Sequence, residues 1–424
     1  MKETVAKVAL TRLSWLVCVV LSGIPGGAAS AADDAPQPIT EARLRDAIRA
    51  ADAVGLFAAF QHPADDTSRA LAAAGLDRVT WHLANSSATA RTCAKALASA
   101  QSVIAFFCAK FEAGNLRLEG RYADASRIDA EAASKFTSVA AADLPFQAFL
   151  RDNAIYGAMP PIEVAHASDV TVPVRFDKAH AFSLDVAVNG HPATFGLDTG
   201  SATTLSRSTA ERLGVKVLIA DHGKASGFLG KASPQSLAVV DELKIGSATV
   251  KHMPVEIVDE GRDVLGNDVL MQLGRFRLTA DTLTLPSSAE ALSTCQEPML
   301  VSTAAFGGGT LLVKPLQING VSRLALIDTG DSFFLTGTAA AAPEARGARH
   351  RRTLTRDLTK ADLAVDTLEG HATVSVGGYD RVADFPIYPA ANLPYPYILG
   401  GGAMSDVTLD VDFTNAHVCL TRRT

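Results

Sequence analysis

Two Asp-Thr-Gly triplets are the residues of this chain best suited to chemistry. The first is Asp198–Gly200 and the second is Asp328–Gly330, which begins 130 positions later. Two carboxyl groups about 3 Å apart cannot both ionise, so they share one proton and serve as base and acid at the same pH. The base can activate a water, and the acid can protonate the carbonyl that this water attacks. The pair therefore predicts hydrolysis by an activated water.

The surroundings of the triplets also repeat, which indicates that one unit was duplicated. Four further stretches recur at offsets of 130 to 134 residues. A slow drift of this kind is expected when two copies of a unit gather small loop insertions. The repeated stretches are Val188–Gly190 with Ile318–Gly320, Ile245–Gly246 with Val376–Gly377, Met253–Val255 with Phe385–Ile387, and Val264–Gly266 with Ile398–Gly400.

A tight turn is needed to bring the two carboxyl groups together, and the other triplet residues suit such a turn. Gly200 and Gly330 let backbone N–H groups approach the carboxylate without a Cβ in the way. Thr199 and Thr329 each offer a short hydroxyl that could brace the turn. Each triplet thus supplies one reactive side chain and two supporting residues.

These residues resemble those of the aspartic proteases, and more closely the retropepsin-like group, over roughly residues 168 to 424. In that family an element of apolar residues and a glycine passes beneath each Asp turn, and Leu265-Gly266 and Leu399-Gly400 match it. The resemblance implies an all-β catalytic domain of two duplicated lobes, with Asp198 and Asp328 as the catalytic pair. It implies neither a cofactor nor a metal.

The residue after each triplet departs from the family pattern in the second lobe. Ser201 follows the first triplet, as is usual in the family, but Asp331 follows the second. A hydroxyl at this position can donate to the catalytic carboxylate, whereas an ionised Asp can only accept and adds negative charge. Three outcomes stay open: Ser332 substitutes for the missing hydroxyl, the second Asp has an altered pKa, or the pair is weakened.

Residues 223–230 are predicted to form a mobile hairpin over a cleft. In the family this hairpin is the flap, and four residues match its tip: Gly227, Phe228, Leu229 and Gly230. No Tyr or Trp occurs from 157 to 378, so the flap tyrosine of pepsin-like enzymes is missing and the retropepsin comparison is favoured. A basic stretch at 346–356 is interpreted as a loop of the second lobe, either solvated or able to attract acidic substrate.

Length and composition exclude several classes. The 424 residues are too many for one ordinary core and predict two or three domains. A net charge of -6 with mixed signs gives no nucleic-acid signal. The five cysteines form no Cys-x-x-Cys pair and the ten histidines are scattered, so a zinc site is not predicted. Motifs of zinc proteases, serine hydrolases and phosphate-binding loops are missing from the sequence.

The beginning of the chain is typical of a secretory signal. Basic residues precede an apolar run from Leu13 to Ile24, which is too short to span a bilayer comfortably, and small residues follow at 29–31. We predict that residues 1–31 are a removed signal, with an uncleaved anchor as the alternative. The mature chain is then expected in the periplasm or outside the cell, without a stable membrane span.

Removal of the signal takes Cys18 and leaves four cysteines in an oxidising compartment. Cys295 and Cys419 could join the connection between the lobes to the C-terminal strand. Cys93 and Cys108 can bond only if the chain turns between them, because one continuous helix would hold them about 22 Å apart at about 1.5 Å per residue. Otherwise these two are buried thiols.

Residues 38–157 are predicted to form an α-helical domain. Alanine is abundant, and apolar residues recur at helical spacing, as at Leu44, Ile48 and Ala51. Residues 113–132 resemble one tetratricopeptide-type helical hairpin, and an irregular helical bundle fits the pattern equally well. A single hairpin does not establish a repeat array.

The sequence therefore predicts a multidomain protein with an all-α region, 38–157, and two protease-like lobes at 168–290 and 291–424. The expected function is an exported aspartic endopeptidase that acts on peptide or protein substrates as a monomer, with the helical domain available to dock a protein partner. The alternative is a catalytically silent peptide-binding protein that keeps the cleft. A weaker alternative is a scaffold of helical repeats.

Overall fold

The computed structural model describes residues 38–98, 102–230, 232–292, 294–357, 362–391 and 393–423. The predicted signal, residues 1–31, lies outside this part of the chain. Helices occupy the described chain up to residue 158, and the remainder is built from two large β-sheets and a smaller third one. The predicted order of an all-α region followed by a two-lobed all-β region is confirmed.

The amino-terminal region consists of helices joined by short loops, which favours antiparallel neighbours. Several begin at a polar residue whose side chain accepts a backbone N–H, such as Thr40, Asp65 and Ser102. The helices are α1 (Glu41–Arg49), α2 (Ala53–Gln61), α3 (Asp66–Val79), α4 (Leu83–Ala96), α5 (Val103–Leu118), α6 (Tyr122–Lys135), α7 (Thr137–Ala142) and α8 (Leu144–Ala158). The expected hairpin over 113–132 is present, since α5 and α6 flank a turn at Gly120, whose φ is 74°.

The first lobe contains the first large sheet and two short helices, α9 (Arg207–Arg212) and α10 (Asn267–Leu273). Its strands alternate buried and exposed residues where one face meets the core, as in β4. The strands in this part of the chain are β1 (Glu163–Ala165), β2 (Val170–Pro173), β3 (Arg175–Asp177), β4 (Ala181–Val188), β5 (His191–Asp198), β6 (Thr204–Ser206), β7 (Lys216–Ser226), β8 (Ala232–Ile245), β9 (Ala248–Val258), β10 (Val264–Gly266), β11 (Arg275–Leu278) and β12 (Thr282–Leu285).

The second lobe contains the second large sheet and short 3-10 turns at Ala339–Glu344 and Gly401–Ser405, and a further turn, Ala289–Leu292, precedes it. The strands in this part of the chain are β13 (Leu300–Ser302), β14 (Leu311–Ile318), β15 (Val321–Asp328), β16 (Leu335–Thr338), β17 (Arg346–Arg356), β18 (Asp362–Val376), β19 (Tyr379–Tyr388), β20 (Tyr397–Gly400), β21 (Val407–Asp412) and β22 (His417–Arg422).

The two large sheets share one pattern of strand pairing. In the first lobe the strands pair as β4-β5-β10-β6-β9-β8, and β8 closes onto β4. In the second lobe they pair as β14-β15-β20-β16-β19-β18, and β18 closes onto β14. The same closed order in both lobes is what a duplicated unit produces. In each lobe one long strand, β7 or β17, extends beyond the closed set as the arm of a hairpin.

The third sheet joins the lobes because its strands come from both. Its order is β2-β12-β11-β21-β22. Arg275 pairs with Asp412 at 3.0 Å and Arg277 with Asp410 at 2.6 Å, so two buried carboxylates are compensated across the β11–β21 junction. This sheet therefore fixes the lobes to each other.

The helical region packs on the segment between β13 and β14 of the second lobe, and Arg78 anchors it there through polar contacts. Its fully buried guanidinium donates to the carbonyls of Ala304 at 3.0 Å and Ala305 at 2.9 Å, and to Asn115 Oδ1 at 2.6 Å. Burial lowers the pKa of Arg78 to about 9, and it remains charged at neutral pH. Close packing continues at Gly114, where a Cβ would lie 2.7 Å from the Ala305 carbonyl oxygen.

Two disulfides cross-link separate elements of the fold. Cys295–Cys419 joins the segment before β13 to β22, and Cys93–Cys108 joins α4 to α5. The second is possible because the chain turns between the two helices. Among the described residues, no helix has the length and apolar character needed to cross a membrane.

Candidate active site

The first Asp turn follows β5 directly. Asp198 is the last residue of that strand, and its Oδ1 accepts the N–H of Gly200 at 2.8 Å. Strand β10 runs parallel to β5 with Gly266 beside Asp198 and Leu265 beside Leu197. The apolar-apolar-glycine element therefore lies next to the first turn, as the resemblance implied.

The second Asp turn has the same construction. Asp328 ends β15, and its Oδ1 accepts the N–H of Gly330 at 2.9 Å. Strand β20 runs parallel to β15 and places Gly400 beside Asp328 and Leu399 beside Ile327. The two turns thus place the two carboxyl groups at the ends of equivalent strands.

The threonines of the triplets bind across the lobes. Thr199 Oγ1 donates to the Ile327 carbonyl at 2.8 Å and accepts the Thr329 N–H at 3.1 Å. Thr329 Oγ1 donates to the Leu197 carbonyl at 2.9 Å and accepts the Thr199 N–H at 3.0 Å. The sequence predicted that each threonine braces its own turn. The structure shows instead that each one braces the turn of the other lobe, and both are fully buried.

The glycines of the triplets make room for the carboxyl group of the opposite lobe. A Cβ at Gly200 would lie 2.5 Å from Cγ of Asp328, and a Cβ at Gly330 would overlap the carboxyl group of Asp198 in the same way. With contacts this short, a side chain at either position would displace the opposite carboxyl group. Glycine at these positions therefore serves a second purpose besides letting backbone N–H groups approach. It lets the two carboxyl groups face each other closely.

The glycines of the neighbouring strands are required by backbone crossings. A Cβ at Gly266 would lie 2.5 Å from both the Ser201 carbonyl oxygen and the Thr203 nitrogen. A Cβ at Gly400 would lie 2.8 Å from the Asp331 carbonyl oxygen. The chain that leaves each Asp turn thus passes directly over these strands, which holds the turn in place.

The carboxyl groups at the centre perturb one another. Burial raises the pKa of Asp328 well above its usual range, and the negative charges of Asp198 and Asp331 and a hydrogen bond with Asp198 raise it further. The N–H of Gly330 opposes this shift. The raised pKa of Asp328 favours its protonated form, as expected when two neighbouring carboxyl groups share one proton.

Asp331 lies beside this pair and is bound on one side only. Its Oδ1 accepts the Phe333 N–H at 3.0 Å, while its buried Oδ2 makes no direct hydrogen bond within the described chain and the nearby Thr336 side chain only partly offsets the effect of burial on its pKa. Burial raises the pKa of Asp331 to about 6. Of the open outcomes, an altered pKa of the second Asp agrees with this geometry. The Ser201 hydroxyl is likewise buried without a partner in the described chain, so it does not donate to Asp198 here.

A cavity of about 470 Å³ opens above the carboxyl pair, between hairpin tips from both lobes. Gly227 and Phe228 of the predicted flap line it, together with Ser332, whereas Leu229 and Gly230 lie beyond its lining. The Phe228 ring meets the Tyr388 ring edge-on with centroids 5.2 Å apart. The predicted hairpin therefore covers the Asp turns.

A second hairpin, formed by β17 and β18, was missed by the sequence reasoning. Residues 354–357 at its tip line the same cavity, and Asp357 Oδ2 accepts the Leu229 N–H at 3.1 Å. The duplication offset of about 130 residues is the sequence signal that predicts this second hairpin, because it maps the first hairpin, 223–230, onto the region around residue 357. The interpretation of 346–356 as a loop is wrong, since this stretch is strand β17, paired with β18. Nearly all of its residues are exposed, so it lacks the alternating apolar pattern by which a half-buried strand is recognised.

In the described part of the chain, no group of three or more His, Cys, Asp or Glu side chains is arranged to hold a metal ion. The charged groups of the cleft are the central carboxyls with Asp331 and Asp357, and the basic side chains at its rim. These basic residues are Lys178, Arg262 and Arg356.

Comparison with known proteins gives a family match over part of the chain. A protein-family model described as Aspartyl protease matches residues 184–274, which include the Asp198 turn and β10. No curated protein matches the chain. Among solved structures, the aspartic proteinase from Irpex lacteus matches at 13% identity with a TM-score of 0.39, over 61% of this chain and 98% of that one. The family resemblance drawn from the sequence is confirmed for the first lobe by the family model.

Proposed function

We propose, from the aspartyl-protease likeness of residues 184–274, that this chain is an aspartic endopeptidase whose two carboxyl groups, Asp198 and Asp328, activate one water. One observation carries the proposal. Each carboxyl group occupies the space that a Cβ would need at the glycine of the opposite turn, at Gly200 and Gly330. Two acids brought this close to each other share one proton, which is the state that acid–base hydrolysis needs.

We assign the shared proton to Asp328 at the start of the reaction, because burial and the neighbouring carboxyl groups raise its pKa. Asp198 then serves as the base. Asp198 accepts a proton from the water as the water oxygen attacks the peptide carbonyl carbon, and Asp328 donates its proton to the carbonyl oxygen. Collapse of the resulting diol then breaks the C–N bond, with a proton passing to the leaving nitrogen. No step needs a metal or an organic cofactor.

The shape of the cleft suits an extended peptide. Hairpin tips from both lobes stand over the carboxyl pair, and apolar side chains such as Phe228, Phe333 and Leu354 line the space between them. The lining residues all come from the two lobes, so the helical region leaves this cleft uncovered. Since one chain supplies both Asp turns, we infer that the monomer is the active form.

We further infer that the protein is exported. The basic-then-apolar start of the sequence supports a signal at residues 1–31, and the two disulfides suit an oxidising compartment. The domain boundaries we propose are 38–157 for the helical region, 168–290 for the first lobe and 291–424 for the second. The helical region, which has a tetratricopeptide-like hairpin at 113–132, is proposed as a docking site for a protein partner.

A second candidate function is favoured by Asp331. A third carboxyl group with a pKa of about 6 beside the pair adds negative charge where the family has a hydroxyl. If this charge prevents the pair from sharing its proton productively, the cleft binds peptides without cleaving them. Both functions use the same cleft, and they differ in turnover.

The test is digestion of a random peptide pool by the mature chain from about pH 3 to 7, with products read by mass spectrometry. Asp198→Asn and Asp328→Asn should each abolish cleavage and keep the fold, as judged by circular dichroism. Asp259→Asn, at an exposed carboxylate outside the cleft, is the matched control and should cleave like the parent. Turnover at the parental rate in either central variant would refute the proposed pair. Peptide binding without any cleavage by the parent would favour the second function.

A further inference from the structure

A second cavity, of about 440 Å³, lies between the helical region and the first lobe. Its walls come from α5, α6 and α8 on one side and from β9 and α10 on the other, and the glycine-rich segment 306–310 closes one end. Ser201 lines both this cavity and the cleft above the carboxyl pair. The volume is in the range of sites that bind small organic molecules, roughly 300–1,000 Å³.

Most charged groups in this cavity are already paired. Lys110 bonds to Asp143 at 2.5 Å, and Arg117 bonds to the buried Asp129 and to a backbone carbonyl. Arg45 pairs with Glu41 on its own helix. Once these pairs are set aside, two carboxyl groups on the first-lobe wall remain without a cationic partner. They are Glu256 and Asp268.

The two carboxyl groups without a cationic partner differ in the number of hydrogen bonds that they accept. Asp268 accepts the Thr203 hydroxyl at 2.6 Å and the Thr203 N–H at 3.0 Å, so its oxygens are well occupied by neutral donors. Within the described chain, the side chain of Glu256 has neither a hydrogen bond nor an ion pair. Burial and the charge of Asp268 raise the pKa of Glu256 to about 7. Glu256, which is partly buried, thus lacks a counter-charge that would stabilise its ionised form.

Aromatic rings stand opposite these carboxyl groups. Tyr156 stacks with Tyr122 at 6.0 Å and with Phe149 at 5.4 Å between ring centroids, and all three line the cavity. The Tyr156 hydroxyl is bound to His222 Nε2 at 3.1 Å, which holds that ring in place. Ring faces attract cations and also pack against apolar groups. The cavity therefore offers a negative pole on one wall and an aromatic surface on the other.

We propose that this cavity is a binding site for a small primary amine with an aromatic or aliphatic body, whose ammonium pairs with Glu256 and whose body lies against Tyr122, Phe149 and Tyr156. An ammonium supplies three donors and the positive charge that Glu256 lacks. The apolar wall on the first lobe, which includes Leu237 and Met271, encloses the rest of the molecule. The site adjoins the cleft only at Ser201, and the proposal does not depend on the proposed peptidase activity.

The experiment measures binding of 2-phenylethylamine to the mature chain by isothermal titration calorimetry at about pH 8, where Glu256 is ionised. One molecule should bind per chain. The neutral isostere 2-phenylethanol should bind roughly tenfold more weakly, because a charge-assisted contact is lost. Binding of the alcohol as tight as that of the amine would overturn the proposal without any variant.

Glu256→Gln keeps the shape of the side chain and removes its charge, and it should weaken binding of the amine by roughly tenfold or more. Glu260→Gln makes the same charge change at an exposed position outside the cavity and should leave the affinity within about twofold. Asp198→Asn tests whether the amine enters the catalytic cleft instead. Retained binding in that variant supports the second cavity, whereas its loss, or unchanged binding in Glu256→Gln, overturns the proposal.

Discussion

The cross-lobe hydrogen bonds of Thr199 permit a sharp test of how the two lobes are held together. Replacing Thr199 by Val keeps the branched shape and removes only the hydroxyl. That hydroxyl is fully buried, donates to the Ile327 carbonyl at 2.8 Å and accepts the Thr329 N–H at 3.1 Å. The variant therefore deprives one buried carbonyl and one buried N–H of these contacts.

The expected magnitude follows from these two contacts. Leaving a buried donor or acceptor without its partner costs about 1–3 kcal/mol each, so Thr199→Val should lower the free energy of unfolding by roughly 2–6 kcal/mol. Thr303→Val is the matched control, because the Thr303 hydroxyl is buried without a hydrogen-bond partner in the described chain. The control should be unchanged or stabilised by about 1 kcal/mol, since it removes an unsatisfied group.

The assay is urea unfolding followed by circular dichroism and by the fluorescence of Trp81, which packs against Phe413 in the second lobe with ring centroids 5.5 Å apart. The free energy of unfolding of each variant is compared with that of the parent at one pH. If Thr199→Val lies within about 0.5 kcal/mol of Thr303→Val, the reciprocal threonine bonds do not hold the lobes together and the reasoning is refuted.

Three further predictions follow from single features of the structure. Asp331→Ser removes a negative charge that raises the pKa of Asp328, so the alkaline limb of the pH–rate profile should move to lower pH; an unmoved limb would show that this charge does not reach the pair. The pKa of Glu256 is about 7 in the folded protein, against 4.5 for an unperturbed Glu. The contribution of Glu256 to the free energy of unfolding is therefore fully present below pH 4.5 and falls by up to about 3 kcal/mol as the pH rises to about 7. Glu256→Gln should flatten this decline when urea unfolding is measured across that pH range. Replacing both Cys295 and Cys419 by Ser opens a loop of 124 residues and should lower the free energy of unfolding by about 5 kcal/mol if loop entropy is the cause. The same replacement at Cys93 and Cys108 opens a loop of 15 residues and should lower it by about 3 kcal/mol. Equal urea midpoints for the two double variants would contradict the loop-entropy explanation.

The sequence alone located the centre of the candidate site. The two Asp-Thr-Gly triplets, Asp198–Gly200 and Asp328–Gly330, and their repeated surroundings predicted a duplicated β-rich unit. It also predicted the glycine-containing strands at Gly266 and Gly400. These features are readable because a turn needs particular residues at fixed local spacing, and a duplication copies that spacing. The helical region was readable for the same reason, since its apolar periodicity is local. The catalytic roles of these residues stay predictions.

The disulfides show where local information ends. Spacing allowed Cys93 and Cys108 to be either a bond or two thiols, because the answer depends on whether the chain reverses between them. The structure places them on adjacent helices, α4 and α5, and joins them. Cys295 and Cys419 were a reasonable pair from their positions, and the third sheet brings their segments together.

Only the tertiary structure decided how the two halves of the site interact. Thr199 and Thr329 brace each other's turns across 130 residues of chain. Within the described residues, one buried oxygen of Asp331 makes no direct hydrogen bond. The second hairpin over the cleft and the cavity at Glu256 likewise depend on which surfaces meet. Contacts of this kind join residues far apart in the sequence, and their partners are selected by packing and burial, which no local pattern records.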